Sequence, residues 1–281
     1  MKPRVLLSPL QLAWLAELGA DTHWLNARES SGPPPVGNGA PPGVSPGTGA
    51  APQTGPALPR ALQARPPVSR SPVPDRAPAA ASGEMATLAA ADLDALSQAV
   101  QVCTRCPLHA QRSRAVPGAG VRSHPLYFIV GEQPGIEDDA SGMPFQGDPG
   151  TLLQAMMAAA RLPEVDSAYL TNVVKCRAVG GQVPDAGEIA ACLPYLHQEI
   201  AQVRPRWILA LGKTAAQAIL GSTRELDALR GGPHTWSGPD GHTVPVWVTH
   251  HPASLLVRSA DKPEAWRDMV AFGQAVRAAQ A

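Results

Sequence analysis

Four short runs of apolar residues recur along the chain after residue 120. They cover residues 126–130, 168–174, 207–211 and 244–250, and the first run, LYFIV, is apolar throughout. A continuous apolar run of this length is typical of a strand that is buried on both faces of a parallel sheet. The pattern therefore predicts four strands within one mostly parallel sheet.

Segments with helical periodicity separate these runs. Helices are predicted over residues 91–102, 150–160, 185–203, 214–220 and 264–279. In the first of them Leu93, Leu96 and Val100 fall on one helix face. Alternation of strands and helices is the mark of a sheet covered by helices on both sides. We therefore predict an α/β fold, a three-layer αβα arrangement around a central, mostly parallel four-stranded sheet.

The first third of the chain has a different composition. Residues 8–19 predict one short helix within an N-terminal peptide spanning 1–27, and residues 28–83 are rich in Pro, Gly and Ala. Such a linker buries too little apolar surface to offset its chain entropy, so we expect it to be disordered. The folded domain is predicted to span residues 84–281.

Charge and hydropathy restrict the function classes. The 281-residue chain has 23 basic and 23 acidic side chains, a formal net charge of zero, which argues against a surface that coats nucleic acid over a long stretch. No run approaches the roughly 18 apolar residues of a membrane span. Acidic residues and Pro9 interrupt the N-terminal segment, unlike a signal peptide. We expect a cytoplasmic protein.

Polar residues follow each predicted strand. GEQPGIEDD follows the first, Asn172 lies at the end of the second, Lys213 follows the third, and His250 and His251 follow the fourth. Ligands of parallel sheets bind beyond the carboxyl ends of the strands. Acid, amide, ammonium and imidazole groups are therefore expected at one rim, where they predict an active site.

The four cysteines have the spacing of a metal site. Cys103 and Cys106 form a CxxC pair. Between Cys106 and Cys176 lie 69 residues, and between Cys176 and Cys192 lie 15. Thiolates are soft ligands for zinc or for iron–sulfur clusters, and clustered cysteines in a cytoplasmic protein more often hold metal than form disulfides. Spacing alone leaves zinc and a cluster open.

Four separated motifs, in order, resemble those of family 4 uracil-DNA glycosylases, the iron–sulfur class. They are GEQPGIEDDASGMPFQGDPGTLL, TNVVKC, HPASLL and the cysteine pattern. The chain departs from the family at Gln133, usually Ala or Gly, at Asp138, usually Glu, and after Cys176, where RAVGGQVPD replaces a Pro-Pro segment. Gln133 also occurs in a branch that cross-links to DNA, but the basic insert with a nucleophilic His of that branch is missing here.

The resemblance implies a 4Fe–4S cluster on Cys103, Cys106, Cys176 and Cys192, and hydrolysis of the N-glycosidic bond of a uracil flipped out of DNA. It further implies a set of site residues. Phe145 stacks on the base, Asn172 reads its edge, His251 stabilises the departing anion with backbone groups around Gly131 and Gln133, Asp138 holds the water, and Glu132 forms a wall near C5. Phosphate contacts are expected from Lys175, Arg177 and Arg258.

Alternative functions stay open at this point. One is a glycosylase of broader base range, which also removes hypoxanthine, xanthine or thymine. Another is a catalytically weak protein that binds DNA damage, because Asp138 is one methylene shorter than Glu. A third places the function in residues 1–27, whose helix would bind a protein partner. We expect a monomer.

Overall fold

The structure is a computed structural model that describes residues 92–280. The predicted N-terminal helix, the predicted disordered linker and residues 84–91 of the predicted folded domain lie outside the described residues. Within residues 92–280, no helix is long and apolar enough to cross a membrane.

A six-stranded sheet forms the centre of the described region. Its spatial order is β1-β3-β2-β4-β6-β5, and the four inner strands are parallel to one another. The two edge strands, β1 and β5, run antiparallel to their neighbours. The strands are β1 (Ala119–Gly120), β2 (Tyr127–Gly131), β3 (Ala168–Asn172), β4 (Trp207–Leu211), β5 (Gly231–Ser237) and β6 (Thr243–Thr249).

The predicted α/β fold and its four parallel strands are confirmed, but the predicted strand number is wrong by the two edge strands. β1 has only two residues, too few to show a pattern. The sequence of β5, GGPHTWS, holds two glycines and a proline, and most of its side chains are not buried. Edge strands of this kind lack the apolar run that reveals a strand buried on both faces.

The helices between the strands agree with the predicted ones, and two short helices add to them. The α-helices are α1 (Leu93–Gln101), α2 (Ile136–Ser141), α3 (Gly147–Ala159), α4 (Ala186–Val203), α5 (Gly212–Leu220), α6 (Pro252–Val257) and α7 (Lys262–Ala278). The sequence analysis missed α2 and α6 because six residues give less than two turns, which is too short for a helical period to be recognised. α2 contains the acidic residues that were expected on a loop.

Helices cover both faces of the sheet. Phe128 and Val130 of β2 pack into one apolar cluster with residues of α1, α4 and α5, whereas Tyr127 and Ile129 pack into a second cluster with α3 and α7. Side chains of a strand alternate between its two faces, so a strand with no polar position is buried on both sides. The three-layer αβα arrangement is confirmed.

Lys175 does not lie where a phosphate could reach it, contrary to the expectation from its motif. Its side chain is 2% exposed and its Nζ contacts Glu199 Oε2 at 2.7 Å, with that carboxylate also 2% exposed. The ammonium also donates to Thr171 Oγ1 at 2.5 Å and to the backbone oxygen of Asn172 at 2.8 Å. All three ammonium protons thus have acceptors inside the protein.

Replacing Lys175 alone should strongly destabilise the fold. Lys175→Met leaves the Glu199 carboxylate buried without its cation, so we expect the free energy of unfolding to fall by about 3–5 kcal/mol. Chemical denaturation of the full chain measures this loss. The double variant Lys175→Met, Glu199→Gln removes both charges and should regain the larger part of it. A single variant as stable as the wild type would contradict the role of the pair.

Candidate active site and cysteine site

A cleft of about 970 Å³ opens at the carboxyl ends of the parallel strands. Side chains that follow each of the four strands line it, as the sequence pattern predicted. The lining residues include Glu132 and Asp138 after β2, Asn172 of β3, Lys213 after β4, His250 and His251 after β6, and Phe145 and Gln133. The structure therefore brings the predicted side chains to one place.

Gly131, the last residue of β2, has three of these side chains around its Cα. A Cβ added there would lie 2.4 Å from Asn172 Oδ1 and 3.0 Å from both His251 Nε2 and Phe145 Cζ. The missing side chain therefore leaves a space bounded by an amide, an imidazole and an aromatic ring. These are groups that could bind the edge and the face of a planar, polar ring.

His251 is held as a neutral imidazole. Its Nδ1 accepts the N–H of Ala253 at 3.1 Å and so caps the N-terminus of α6. Burial lowers the pKa of His251 to about 4, because desolvation disfavours the imidazolium. A neutral ring whose Nδ1 is an acceptor carries its proton on Nε2. The N–H beside Gly131 is therefore a hydrogen-bond donor.

Asn172 is fixed through its backbone and available through its side chain. It is 2% exposed, and the Lys175 ammonium holds its backbone oxygen. Its buried Nδ2 has no hydrogen-bond partner among the described residues. A buried amide donor without a partner costs free energy, and a ligand that offers an acceptor there would recover it.

Phe145 has an unusual backbone conformation that its neighbours stabilise. Its φ is +58°, in the left-handed region that non-glycine residues rarely adopt. Gly150 makes room for this turn, since a Cβ at Gly150 would lie only 1.9 Å from the Phe145 carbonyl oxygen. The ring lies 6.2 Å from the His251 ring, at an interplanar angle of 22°. Such strain is typical of a side chain held for binding.

Asp138 contacts the same turn. It is the third residue of α2, where Oδ2 accepts the N–H of Gly135 at 3.0 Å and Oδ1 accepts the N–H of Gln146 at 2.7 Å. Desolvation raises the pKa of Asp138, although these hydrogen bonds oppose the shift. Asp138 thus joins the start of α2 to the residue that follows Phe145.

The neighbouring acids have different partners. Asp139 accepts the backbone N–H of Ser113 with both oxygens, at 2.9 and 3.1 Å, and that of Arg114 at 3.3 Å. Glu137 is exposed. Glu132 accepts the Thr214 hydroxyl at 2.5 Å. The sequence analysis did not single out Thr214, because a Thr in the first turn of a helix carries no motif of its own.

Gln133 was expected to bind the base through its backbone N–H, near the anion site, and this stays a prediction. Its side-chain oxygen accepts the N–H of Ala178 at 2.9 Å, and its Nε2 donates to the Gln182 carbonyl at 2.8 Å. The side chain therefore reaches across to the segment after Cys176.

An acidic wall lies beside His250. Ligand atoms of Asp227, His250 and Glu264 lie within 4.8 Å of one another. Arg230 already forms ion pairs with Asp227, Glu264 and Asp268. The guanidinium thus compensates the charge of these carboxylates, and the cluster is better explained as an ion-pair network than as a metal site.

The four cysteines line a second, smaller cavity on the other side of β3. Arg112 donates to Cys176 Sγ at 2.9 Å, and the Lys175 backbone N–H donates to Cys192 Sγ at 3.3 Å. Burial raises the pKa of the Cys106 and Cys176 thiols and raises that of Cys192 to about 12. The loop before β1, the segment after β3 and α4 supply the thiols.

The spacing of the sulfur atoms is informative. Among the described residues, no three cysteine sulfurs are all within 4.8 Å of one another. In a tetrahedral zinc site with Zn–S bonds of about 2.3 Å, the sulfurs lie roughly 3.8 Å apart. The four thiols are therefore not arranged as a closed tetrahedral zinc site, and as soft ligands they suit either zinc or an iron–sulfur cluster.

Comparison with known proteins agrees with this geometry. The family model of the uracil DNA glycosylase superfamily matches residues 117–270, which include every side chain named above as lining the larger cleft. The chain belongs to the uracil-DNA glycosylase superfamily.

Curated relatives place the chain in the type-4 family of this superfamily. A type-4 uracil-DNA glycosylase of Pyrobaculum aerophilum is 37% identical over 186 residues, which are 64% of this chain and 93% of the relative. One from Thermotoga maritima is 37% identical over 165 residues, 58% of this chain and 83% of the relative. One from Archaeoglobus fulgidus is 33% identical over 189 residues, 65% of this chain and 92% of the relative.

Adding one methyl group at Gly131 should close the space within this glycosylase-family site. Because the added Cβ would overlap Asn172 Oδ1, we expect Gly131→Ala to lower the excision rate for uracil by at least about 100-fold, as a small displacement of site groups can. Gly187→Ala, in the first turn of α4, is the matched control and should keep the wild-type rate. Single-turnover excision with a uracil-containing oligonucleotide measures both. Wild-type activity of Gly131→Ala would contradict the position of the pocket.

Proposed function

We propose that this chain excises uracil from DNA and leaves an abasic site, as the first step of base excision repair. The observation that supports this most strongly is the convergence of Asn172, His251 and Phe145 on the space at Gly131. Type-4 family membership gives the same reaction class. The partner is uracil-containing DNA, and we keep the monomer and the cytoplasmic location as predictions.

Base recognition is assigned to Asn172 and Phe145. A uracil in duplex DNA is inaccessible, so its nucleotide must turn out of the stack into the cleft. The partnerless Nδ2 of Asn172 can donate to O4 of uracil while Oδ1 accepts from N3–H. Cytosine presents the opposite polarity at both atoms, so its binding would leave buried groups unpaired. The Phe145 ring can stack on the base, which contributes roughly 1–3 kcal/mol.

Bond cleavage is assigned to His251. As the C1′–N1 bond breaks, both electrons go to the pyrimidine, and negative charge develops on its O2 while the sugar becomes cationic. The neutral Nε2–H of His251 can donate a hydrogen bond to that oxygen. A donor held in place before the reaction stabilises developing charge without reorganisation.

The carboxylates are assigned complementary roles. We propose that Asp138 orients the hydrolytic water and faces the sugar cation, because a carboxylate that accepts two backbone N–H bonds still has lone pairs left. The same bonds make it a support for the Phe145 turn. Glu132, held by Thr214, is proposed to form the wall near C5 that excludes the methyl group of thymine.

A 4Fe–4S cluster is the cofactor that the cysteine site fits best. Similarity to type-4 enzymes favours a cluster over zinc, and N–H groups of Arg112 and Lys175 point at two of the sulfurs, as is usual around such clusters. Cys103, Cys106, Cys176 and Cys192 would hold it. Hydrolysis involves no net oxidation, so the cluster would tie the cysteine-bearing segments together and supply stability.

Release of the free base decides between the candidate functions. The full chain, incubated with oligonucleotides that each contain one uracil, thymine, hypoxanthine or cytosine, should release uracil and leave cytosine in place. Release of several bases at similar rates would favour the broader-range enzyme. DNA binding without release of any base would favour the damage-binding protein.

The acidic residues can be ranked by parallel substitution. Asp138→Asn should lower single-turnover excision by roughly 10²–10⁴-fold, since a positioned general base contributes that much. Because burial raises the pKa of Asp138, the wild-type rate should fall on acidification at a higher pH than for an ordinary carboxyl group. Glu137→Gln is the matched control and should stay active. If Asp138→Asn keeps full activity and Glu132→Gln loses it, Glu132 rather than Asp138 orients the hydrolytic water.

The cluster can be tested without measuring activity. Protein purified anaerobically should be brown and contain iron and acid-labile sulfide. Cys→Ala at any of the four positions should bleach the visible absorbance and lower the melting temperature, because ligand loss removes folding free energy linked to metal binding. Tyr195→Phe, at the wall of the same cavity, is the control and should stay coloured. A colourless protein with one bound zinc would contradict the assignment.

A further inference from the structure

Ala178, Gly180 and Gly181 of the segment 178–182 line one wall of the cleft. Gly180 and Gly181 line the cleft, are exposed, and have φ values of +80° and +69°. A Cβ at either glycine would meet nothing within 4 Å. Glycine loses more conformational freedom on ordering than any other residue, so contacts from outside the segment help to order it.

Gln133 supplies two such ties from the opposite side. Its Oε1 accepts the N–H of Ala178 at 2.9 Å, and its Nε2 donates to the carbonyl oxygen of Gln182 at 2.8 Å. The two bonds hold the first and the last residue of the segment. One planar amide thus fixes both ends of the glycine-containing wall. Its oxygen accepts at one end and one of its N–H groups donates at the other.

The position of Gln133 in the chain makes this tie relevant to the substrate. Gln133 follows Gly131 and Glu132 directly, so it starts from the strand end at which the base pocket lies. Arg177, which also lines the cleft, directly precedes the segment and adds a positive charge at its start. The glycines keep the rim free of side chains, which lets another backbone approach closely.

We infer that Gln133 is a positioning residue that orders residues 178–182 as a wall against which the DNA strand lies. The inference rests on the proposed uracil excision. The bond to Gln133 Oε1 requires an N–H at residue 178, so a proline at that position would remove one of the two hydrogen bonds. Without the tie, DNA binding must order the wall itself, and the cost appears as weaker binding.

Three variants separate this role from a general structural one. Gln133→Ala removes both bonds. Gln133→Glu keeps an acceptor for Ala178 but turns a carboxylate oxygen toward the Gln182 carbonyl. Ala178→Pro removes only the Ala178 N–H, and the φ of −81° at Ala178 is close to the range of proline. The two bonds together are expected to be worth about a 5- to 30-fold change in binding.

The first measurement is hydrogen exchange of the full chain. Backbone amides of residues 177–183 should exchange faster in Gln133→Ala than in the wild type, while those of β2 stay protected. The second is binding of an oligonucleotide with a stable abasic-site analogue, followed by fluorescence anisotropy. Gln133→Ala should bind about 5- to 30-fold more weakly, and Gln133→Glu should not restore the affinity.

The double variant Gln133→Ala, Ala178→Pro completes the test. Gln133→Ala already removes the bond that Ala178→Pro removes. The double variant should therefore bind about as weakly as Gln133→Ala alone, and more tightly than the product of the two single losses would give. Unchanged exchange, unchanged affinity or fully additive effects would each overturn the inference. A wild type that shows the expected exchange and binding but releases no uracil would overturn the proposed function instead.

Discussion

The buried ion pair between Lys175 and Glu199 is the interaction on which both sites depend. The ammonium of Lys175 holds the backbone oxygen of Asn172, whose side chain faces the base pocket. The backbone N–H of Lys175 donates to Cys192 Sγ, and Cys176 follows directly in the chain. Glu199 lies on α4, as does Cys192. The pair therefore fixes the end of β3 against α4, and one lysine connects the pocket with the cysteine site. Two charges can be buried here because each also has neutral hydrogen-bond partners.

The acidic segment after β2 shows how one short stretch can position a site. Asp138 accepts the backbone N–H of Gly135 and that of Gln146, the residue after Phe145, whereas Asp139 binds the segment around Ser113, near the cysteine cavity. Both carboxylates are buried, and each satisfies backbone N–H groups that would otherwise lack partners. The helix α2 gives them different directions, since adjacent helical residues point about 100° apart. Asp138 can therefore both support the Phe145 turn and orient the hydrolytic water, because some of its lone pairs accept the backbone N–H groups and others remain available.

Sequence patterns predicted the parts of this structure that are buried on both sides. The inner strands consist mainly of apolar residues, so their order of occurrence revealed the parallel sheet and its rim. The edge strand β5 carries Gly, Pro and His and gave no such signal. Motif resemblance located Asn172, Phe145 and His251 but not their contacts. It suggested phosphate binding for Lys175, which three buried acceptors hold instead. Partners such as Glu199 and Thr214 lie tens of residues away, and only the folded chain shows which side chains meet.

The protonation state of His251 follows from burial rather than from a neighbouring charge. Arg230 is engaged with carboxylates, Lys175 with Glu199, and burial keeps the His251 ring neutral. An imidazolium at this place would bind the leaving anion more strongly, but it would also have to be desolvated before the substrate arrives. A neutral N–H donor avoids that cost and still strengthens as charge develops on the base, because the surrounding dielectric is low. The same low dielectric makes the unpaired Asn172 amide selective, since a base with the wrong polarity leaves it unsatisfied. Recognition and leaving-group stabilisation therefore share one cause, the desolvation of the Asn172 and His251 side chains beside Gly131.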